Sequence, residues 1–147
     1  MNDTQLLSFQ SNKSLLLEFM KEFNIKEIEV EYASYSQDDN TDIDDINLTL
    51  NDGTLIGYNE IASYINNKTF EFYPFATNEF FKVPDLTIED FFQLYVFHFI
   101  ETKYSGWTDE GGGKGYCFIE IIDEKLQTYC DHIDYYTETR EKEFKDI

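Results

Sequence analysis

Ile25-Lys26-Glu27-Ile28-Glu29-Val30-Glu31-Tyr32 alternates apolar and acidic residues with a period of two, and that alternation decides the fold. Side chains along an extended chain point to opposite faces at each step, so Ile28, Val30 and Tyr32 turn inward while Glu27, Glu29 and Glu31 stand in a row in water. The stretch reads as a half-buried strand whose outer face is a carboxylate ridge. A strand with one dry and one wet face belongs to an antiparallel sheet covered on a single side.

Upstream, residues 3–23 carry a broad apolar stripe of Leu6, Leu7, Leu15, Leu16, Phe19, Met20 and Phe23, with Asp3 or Thr4 as the cap, which predicts a helix. Downstream, residues 34–42 are polar and acidic, a loop by composition. Ile46, Leu48 and Leu50 then alternate with Asn47 and Thr49 in a second strand. Asn51-Asp52-Gly53-Thr54 is a hairpin turn, because Asp-Gly tolerates positive φ, and Leu55 and Ile56 begin the return. Residues 59–66 suit a short helix, and Phe70 and Phe72 are inward residues of a short strand. Thr87, with Asp90 three residues on, caps a helix over 88–103. Ile88, Phe91, Phe92, Tyr95 and Phe99 share one face of it, while Leu94, Phe97 and Ile100 spread round the rest, which places it centrally or under a partner. Residues 105–115 read as a Gly-rich loop. Tyr116 to Ile122 and Leu126 to Tyr136 form a hairpin around Asp123-Glu124-Lys125, and the tail from Thr137 is expected to fray. The order predicts an α+β fold, an antiparallel sheet with two main helices packed on one face, and residues 1–147 as one domain.

The charge is lopsided: 30 acidic against 11 basic residues, a formal net charge of -19. Between Glu27 and Asn67 there is no Lys or Arg, yet ten Asp and Glu. Such a field repels nucleic acid and anionic membrane and attracts basic proteins. With 14 Phe and 11 Tyr the chain still has ample core material, so the acidity belongs to the exterior of a folded protein rather than to disorder. The N-terminus has no basic leader, and the run from Phe91 to Ile100 is too short to span a membrane. Cys117 and Cys130 are expected to be reduced thiols in a cytoplasm, packed as small hydrophobes.

Several patterns invite chemistry. Asp38, Asn40, Asp42 and Asp44 fall at the alternate positions of a calcium loop, but Ile43 stands where Gly is required and Thr49 where a bidentate Glu is required. Cys130, His132 and Asp134 share one face of the last strand and are zinc-competent atom types, with Cys117 or His98 as the candidate fourth ligand. With Tyr129, Ile133 and Tyr135 packed inward, the same three residues are merely the polar outer face. His98 sits at the rim of its helix's apolar stripe. Gly111-Gly112-Gly113-Lys114-Gly115 is not a phosphate loop: Lys114 is followed by Gly, and Asp109 and Glu110 repel phosphate. It reads as a flexible connection, and Trp107 beside it as a packing anchor or a contact residue.

Val30-Glu31-Tyr32-Ala33 with Ile43-Asp44-Asp45-Ile46, and Gly106-Trp107-Thr108-Asp109-Glu110-Gly111 with Asp131-His132 and Tyr135-Tyr136, together resemble a family of small bacterial and mobile-element proteins known only as a domain of unknown function. The first loop departs from that family, with Ser and Gln where it tends to have Gly. The resemblance implies an accessory protein and supplies no activity.

These readings converge on a non-enzymatic acidic binding protein without a cofactor, acting on a basic, nucleic-acid-binding protein as a DNA mimic or anti-defence inhibitor of a phage or mobile element. The Glu27-Glu29-Glu31 ridge repeats at about 6.6 Å, close to the spacing of about 6 to 7 Å between neighbouring phosphates on one strand. Asp38, Asp39, Asp42, Asp44 and Asp45 extend it, and Trp107, Asp109 and Glu110 are further candidate contacts. An immunity protein for a basic toxin is one alternative, and a small metal-binding protein or enzyme using Cys130, His132 and Asp134 another.

Overall fold

A computed structural model of the chain describes residues 2–35, 41–74, 79–103, 112–134 and 141–145. Helix α1 runs Asp3–Glu22 and is capped by Asn2 rather than by Asp3 or Thr4. The Asn2 side chain accepts from the Gln5 backbone N–H at 2.8 Å, and the Gln5 side chain accepts in return from the Asn2 N–H at 3.1 Å. This reciprocal box satisfies two of the donors that every helix start leaves open. The buried face is Ser8, Phe9, Asn12, Leu16, Phe19 and Met20. Leu6 and Leu7, expected inside, are exposed instead, because the face that meets the sheet is set by Phe9 and Phe19.

Strand β1 spans Ile25–Tyr35, longer than its alternating core suggests, and β2 spans Asp42–Leu50. Both extend into the acidic stretch expected to be a loop, since pairing of Ala33 with Asp42 and of Tyr32 with Ile43 satisfies their backbone groups. The turn after β2 is as expected: Gly53 takes φ +90°, and Asp52 accepts from the Thr54 N–H at 2.9 Å. β3 (Leu55–Ile56) returns alongside β2, and the short α2 (Tyr58–Tyr64) follows. β4 (Phe70–Phe72) pairs with β5 (Val83–Leu86) in a separate two-stranded sheet. α3 covers Ile88–Lys103, with Thr87 Oγ1 accepting from the Asp90 N–H at 3.1 Å. β6 (Gly112–Ile122) and β7 (Lys125–Asp134) form the hairpin, turning through Asp123 and Glu124, both at positive φ. The backbone of Glu141–Lys145, in the tail expected to fray, pairs with β7 as β8.

The large sheet is six-stranded and antiparallel, ordered β3-β2-β1-β6-β7-β8. α1 and α3 pack on one face of it, making the α+β arrangement expected from the element order. Phe91, Phe92, Tyr95, Val96, Phe99 and Ile100 of α3 and Leu16, Phe19 and Met20 of α1 meet Ile28, Val30, Ile46, Leu48, Cys117 and Ile119. Phe97 and Leu94 are partly buried against this core, so α3 contributes to it from more than one side. Two polar contacts fix the layers. Tyr95 and Thr128 share a hydroxyl hydrogen bond of 2.6 Å, and the Asn12 amide exchanges two bonds of 2.8 Å with the backbone of Tyr73. No helix among the described residues is long and apolar enough to cross a membrane.

Candidate functional site

On the face of the sheet away from the helices, the alternation of β1 places Glu27, Glu29 and Glu31 in a row, each half-buried by its neighbours. The strands on either side add to it. Glu27 lies opposite Glu120 of β6, and Glu31 lies opposite Asp45 of β2. Directly opposed like charges destabilise a sheet. The Glu27 carboxyl is pushed above its usual range by burial first, then by Glu120 and Glu29.

Aromatic rings run through the middle of this acidic surface. Glu29 faces Phe118, which faces Tyr129, while Glu31 faces Tyr116, which faces Asp131. Tyr116, Phe118 and Tyr129 form a ladder with ring centroids 6.4 and 5.9 Å apart. The Tyr116 phenol is raised by the charge of Glu31 and by its hydrogen bond to the same carboxylate, and Asp45 adds to the effect. The Tyr129 hydroxyl donates to Asp131 Oδ1 at 2.5 Å. A cleft at this end of the face is bordered by Glu31, Asp44, Lys114, Tyr116, Tyr129 and Asp131.

Of the other expected contacts, Asp42 and Asp44 are exposed on β2 and Asp45 is half-buried. Asp45 accepts from the Ile46 N–H at 3.1 Å and from the Asn47 amide at 2.9 Å. Because Asp42 and Asp44 belong to a strand, the half-motif of a calcium loop is not a loop there. Asp38, Asp39, Trp107, Asp109 and Glu110 lie outside the described residues. Sequence reading missed Glu120, Tyr116, Phe118, Tyr129 and Asp131 as members of this face. The period of two in Tyr116-Cys117-Phe118-Ile119-Glu120 carried the signal, once its strand is placed beside β1.

The inner face corrects two expectations. Cys130 and His132 are buried, not the outer polar face of β7, and Tyr129 and Ile133 take the outer side. Cys130 lies directly opposite Cys117, the two free thiols 2.8 Å apart at sulfur, and burial first, then the bond to Cys117, pushes the Cys130 thiol up. His132 Nδ1 shares a hydrogen bond of 2.6 Å with the Tyr32 hydroxyl, the rings stacked at 11°. Among the described residues no group of three His, Cys, Asp or Glu is arranged to hold a metal ion. His98 stacks on Phe72 at 5.6 Å, and burial lowers its pKa to about 4.

The second correction concerns the glycines. Gly112, Gly113 and Gly115 are buried residues of β6, not part of a flexible connection. A Cβ on Gly113 would stand 2.5 Å from the His132 ring, and one on Gly115 would overlap the Asp131 carbonyl and lie 3.0 Å from the Tyr32 hydroxyl. Absent side chains here are what let Tyr32 and His132 meet across β6. No family model, curated protein or solved structure matches the chain.

Proposed function

We propose that this chain is a non-enzymatic binding protein whose exposed sheet face engages a basic protein surface, of the kind that otherwise binds nucleic acid. One observation carries the reading. Glu27, Glu29 and Glu31 are flanked in register by Asp45 and Glu120, with Asp131 one strand further, and α1 and α3 pack on the opposite side of the sheet. Holding like charges in direct opposition costs stability, and a cationic partner relieves that cost on binding. The field also speeds encounter with a basic partner and makes it salt-dependent. Row spacing of about 6.6 Å along β1 suits a surface built for a phosphate backbone.

The test is capture of partners from a lysate of the source cell, washed at rising salt, with the wild type beside a Glu27→Lys/Glu29→Lys/Glu31→Lys variant. A single basic nucleic-acid-binding protein, retained by the wild type, released by salt and lost by the variant with its fold intact, supports the reading. A partner held equally by the variant removes the ridge from it. A captured toxin encoded beside this chain would make the protein an immunity factor using the same electrostatics.

A further inference from the structure

We propose that the rung Glu31–Tyr116–Asp131 is a seat for an arginine side chain of the partner, with the guanidinium flat on the Tyr116 ring between the two carboxylates. The inference rests on the basic-partner reading and names the group that reading requires.

The geometry comes from the pairing. Glu31 on β1, Tyr116 on β6 and Asp131 on β7 are consecutive partners across three strands. Neighbouring strands lie about 4.8 Å apart, so the backbones of Glu31 and Asp131 stand about 10 Å from each other with the tyrosine midway. Tyr116 is 43% exposed, although it is one of the larger apolar-bodied side chains on the sheet. On the next rung Phe118 and Tyr129 continue the ring surface, giving the aliphatic part of a long side chain an apolar bed.

The carboxylates are already oriented. Tyr129 donates to Asp131, and Tyr116 hydrogen-bonds Glu31. Each phenol occupies part of one carboxylate, and an ionised carboxylate offers about four acceptor positions, so both retain acceptors for a further donor. Asp45 lies beside Glu31 and Asp44 borders the same cleft, so the field over the ring stays negative even with Lys114, exposed on the same rim, set against these carboxylates.

Arginine fits this arrangement and lysine does not. A guanidinium is planar, stacks on an aromatic face and donates from its edges in several directions at once, so it can serve carboxylates on both sides of the ring. An ammonium is a compact, strongly hydrated point charge and reaches one side or the other. A second copy of this chain is excluded as the occupant by its own net charge of -19.

The probes are octa-arginine and octa-lysine peptides, titrated calorimetrically into the full chain at physiological salt. Octa-arginine is expected to bind about tenfold more tightly than octa-lysine, the equivalent of about 1.4 kcal/mol. Tyr116→Leu, which keeps an apolar strand residue but removes the ring, is expected to bring the two affinities together while leaving octa-lysine binding unchanged. Glu31→Gln with Asp131→Asn is likewise expected to bring the two affinities together, but while weakening both peptides modestly, with far-UV circular dichroism confirming the fold of each variant. Equal affinity of the two peptides for the wild type, or an arginine preference that survives Tyr116→Leu, overturns the seat and leaves the basic-partner reading standing. Failure of both peptides to bind overturns both.

Discussion

The hydroxyl of Tyr32 and Nδ1 of His132, a hundred residues apart in sequence, share a hydrogen bond of 2.6 Å across the bare backbone of Gly115. Burial raises the Tyr32 phenol well above its usual value, so the phenol stays protonated, and the hydroxyl and the ring nitrogen share one proton between them in either His132 tautomer. The contact ties β1 to β7 through β6 inside the core.

Tyr32→Phe is therefore expected to cost about 1–3 kcal/mol, because it removes the hydroxyl that His132 Nδ1 bonds inside the core. Urea denaturation at neutral pH measures it. A loss below about 0.5 kcal/mol would show the bond to be energetically idle.

Gly115→Ala is expected to be worse tolerated than a typical surface substitution, by about 2–3 kcal/mol, since the new methyl overlaps the Asp131 carbonyl and presses on Tyr32. Gly53→Ala is the useful comparison. Its Cβ meets open space, so its cost reports only the positive φ of the turn.

His98 gives a pH signature. Its folded pKa of about 4 lies below the unfolded value of about 6.5, so the unfolded chain binds the extra proton between those limits. The stability concerned is fully present above pH 6.5 and is lost as pH falls toward 4, with a ceiling of about 3 kcal/mol. Comparing wild type with His98→Gln at pH 7 and pH 5 isolates it from the carboxylates. The wild type should lose more stability than the variant over that interval.

Cys117 and Cys130 should resist a water-soluble thiol reagent in the native state, both being fully buried and the Cys130 thiol raised by that burial. Labelling in rising denaturant should track unfolding. Rapid labelling of the native protein would place the thiols at a surface.

Glu120→Lys is expected to stabilise the fold by up to about 1 kcal/mol, since it replaces the like charge opposite Glu27 with a cross-strand ion pair. Thermal melts at low and high salt would show the gain and its screening.

The α+β class, both main helices and most strand positions were legible because each rests on a local period: two along Ile28, Val30 and Tyr32, and close to 3.6 along Phe91, Phe92, Tyr95 and Phe99. The cap lies at Asn2, a residue or two before the expected Asp3 or Thr4, because Asn, Asp and Thr all cap well and only the position of Gln5 decides among them. The start of β6 has the sequence of a loop because glycines have little strand preference of their own. What makes them strand residues is the Tyr32–His132 contact they accommodate.

By itself, then, the sequence determined that Glu27, Glu29 and Glu31 line one face of a strand and that this face is strongly acidic, because side-chain alternation is a property of the local backbone. Tertiary structure decided which face of β7 turns inward. Leu126, Thr128, Cys130 and His132 on one side and Tyr129 and Ile133 on the other differ little in polarity, so the alternation alone leaves the choice open, and a slip of one residue would exchange them. Pairing with β6 settled it: Gly113 and Gly115 leave space for the His132 ring, and Cys117 meets Cys130, while Tyr129 and Asp131 are left outside beside Tyr116 and Glu31.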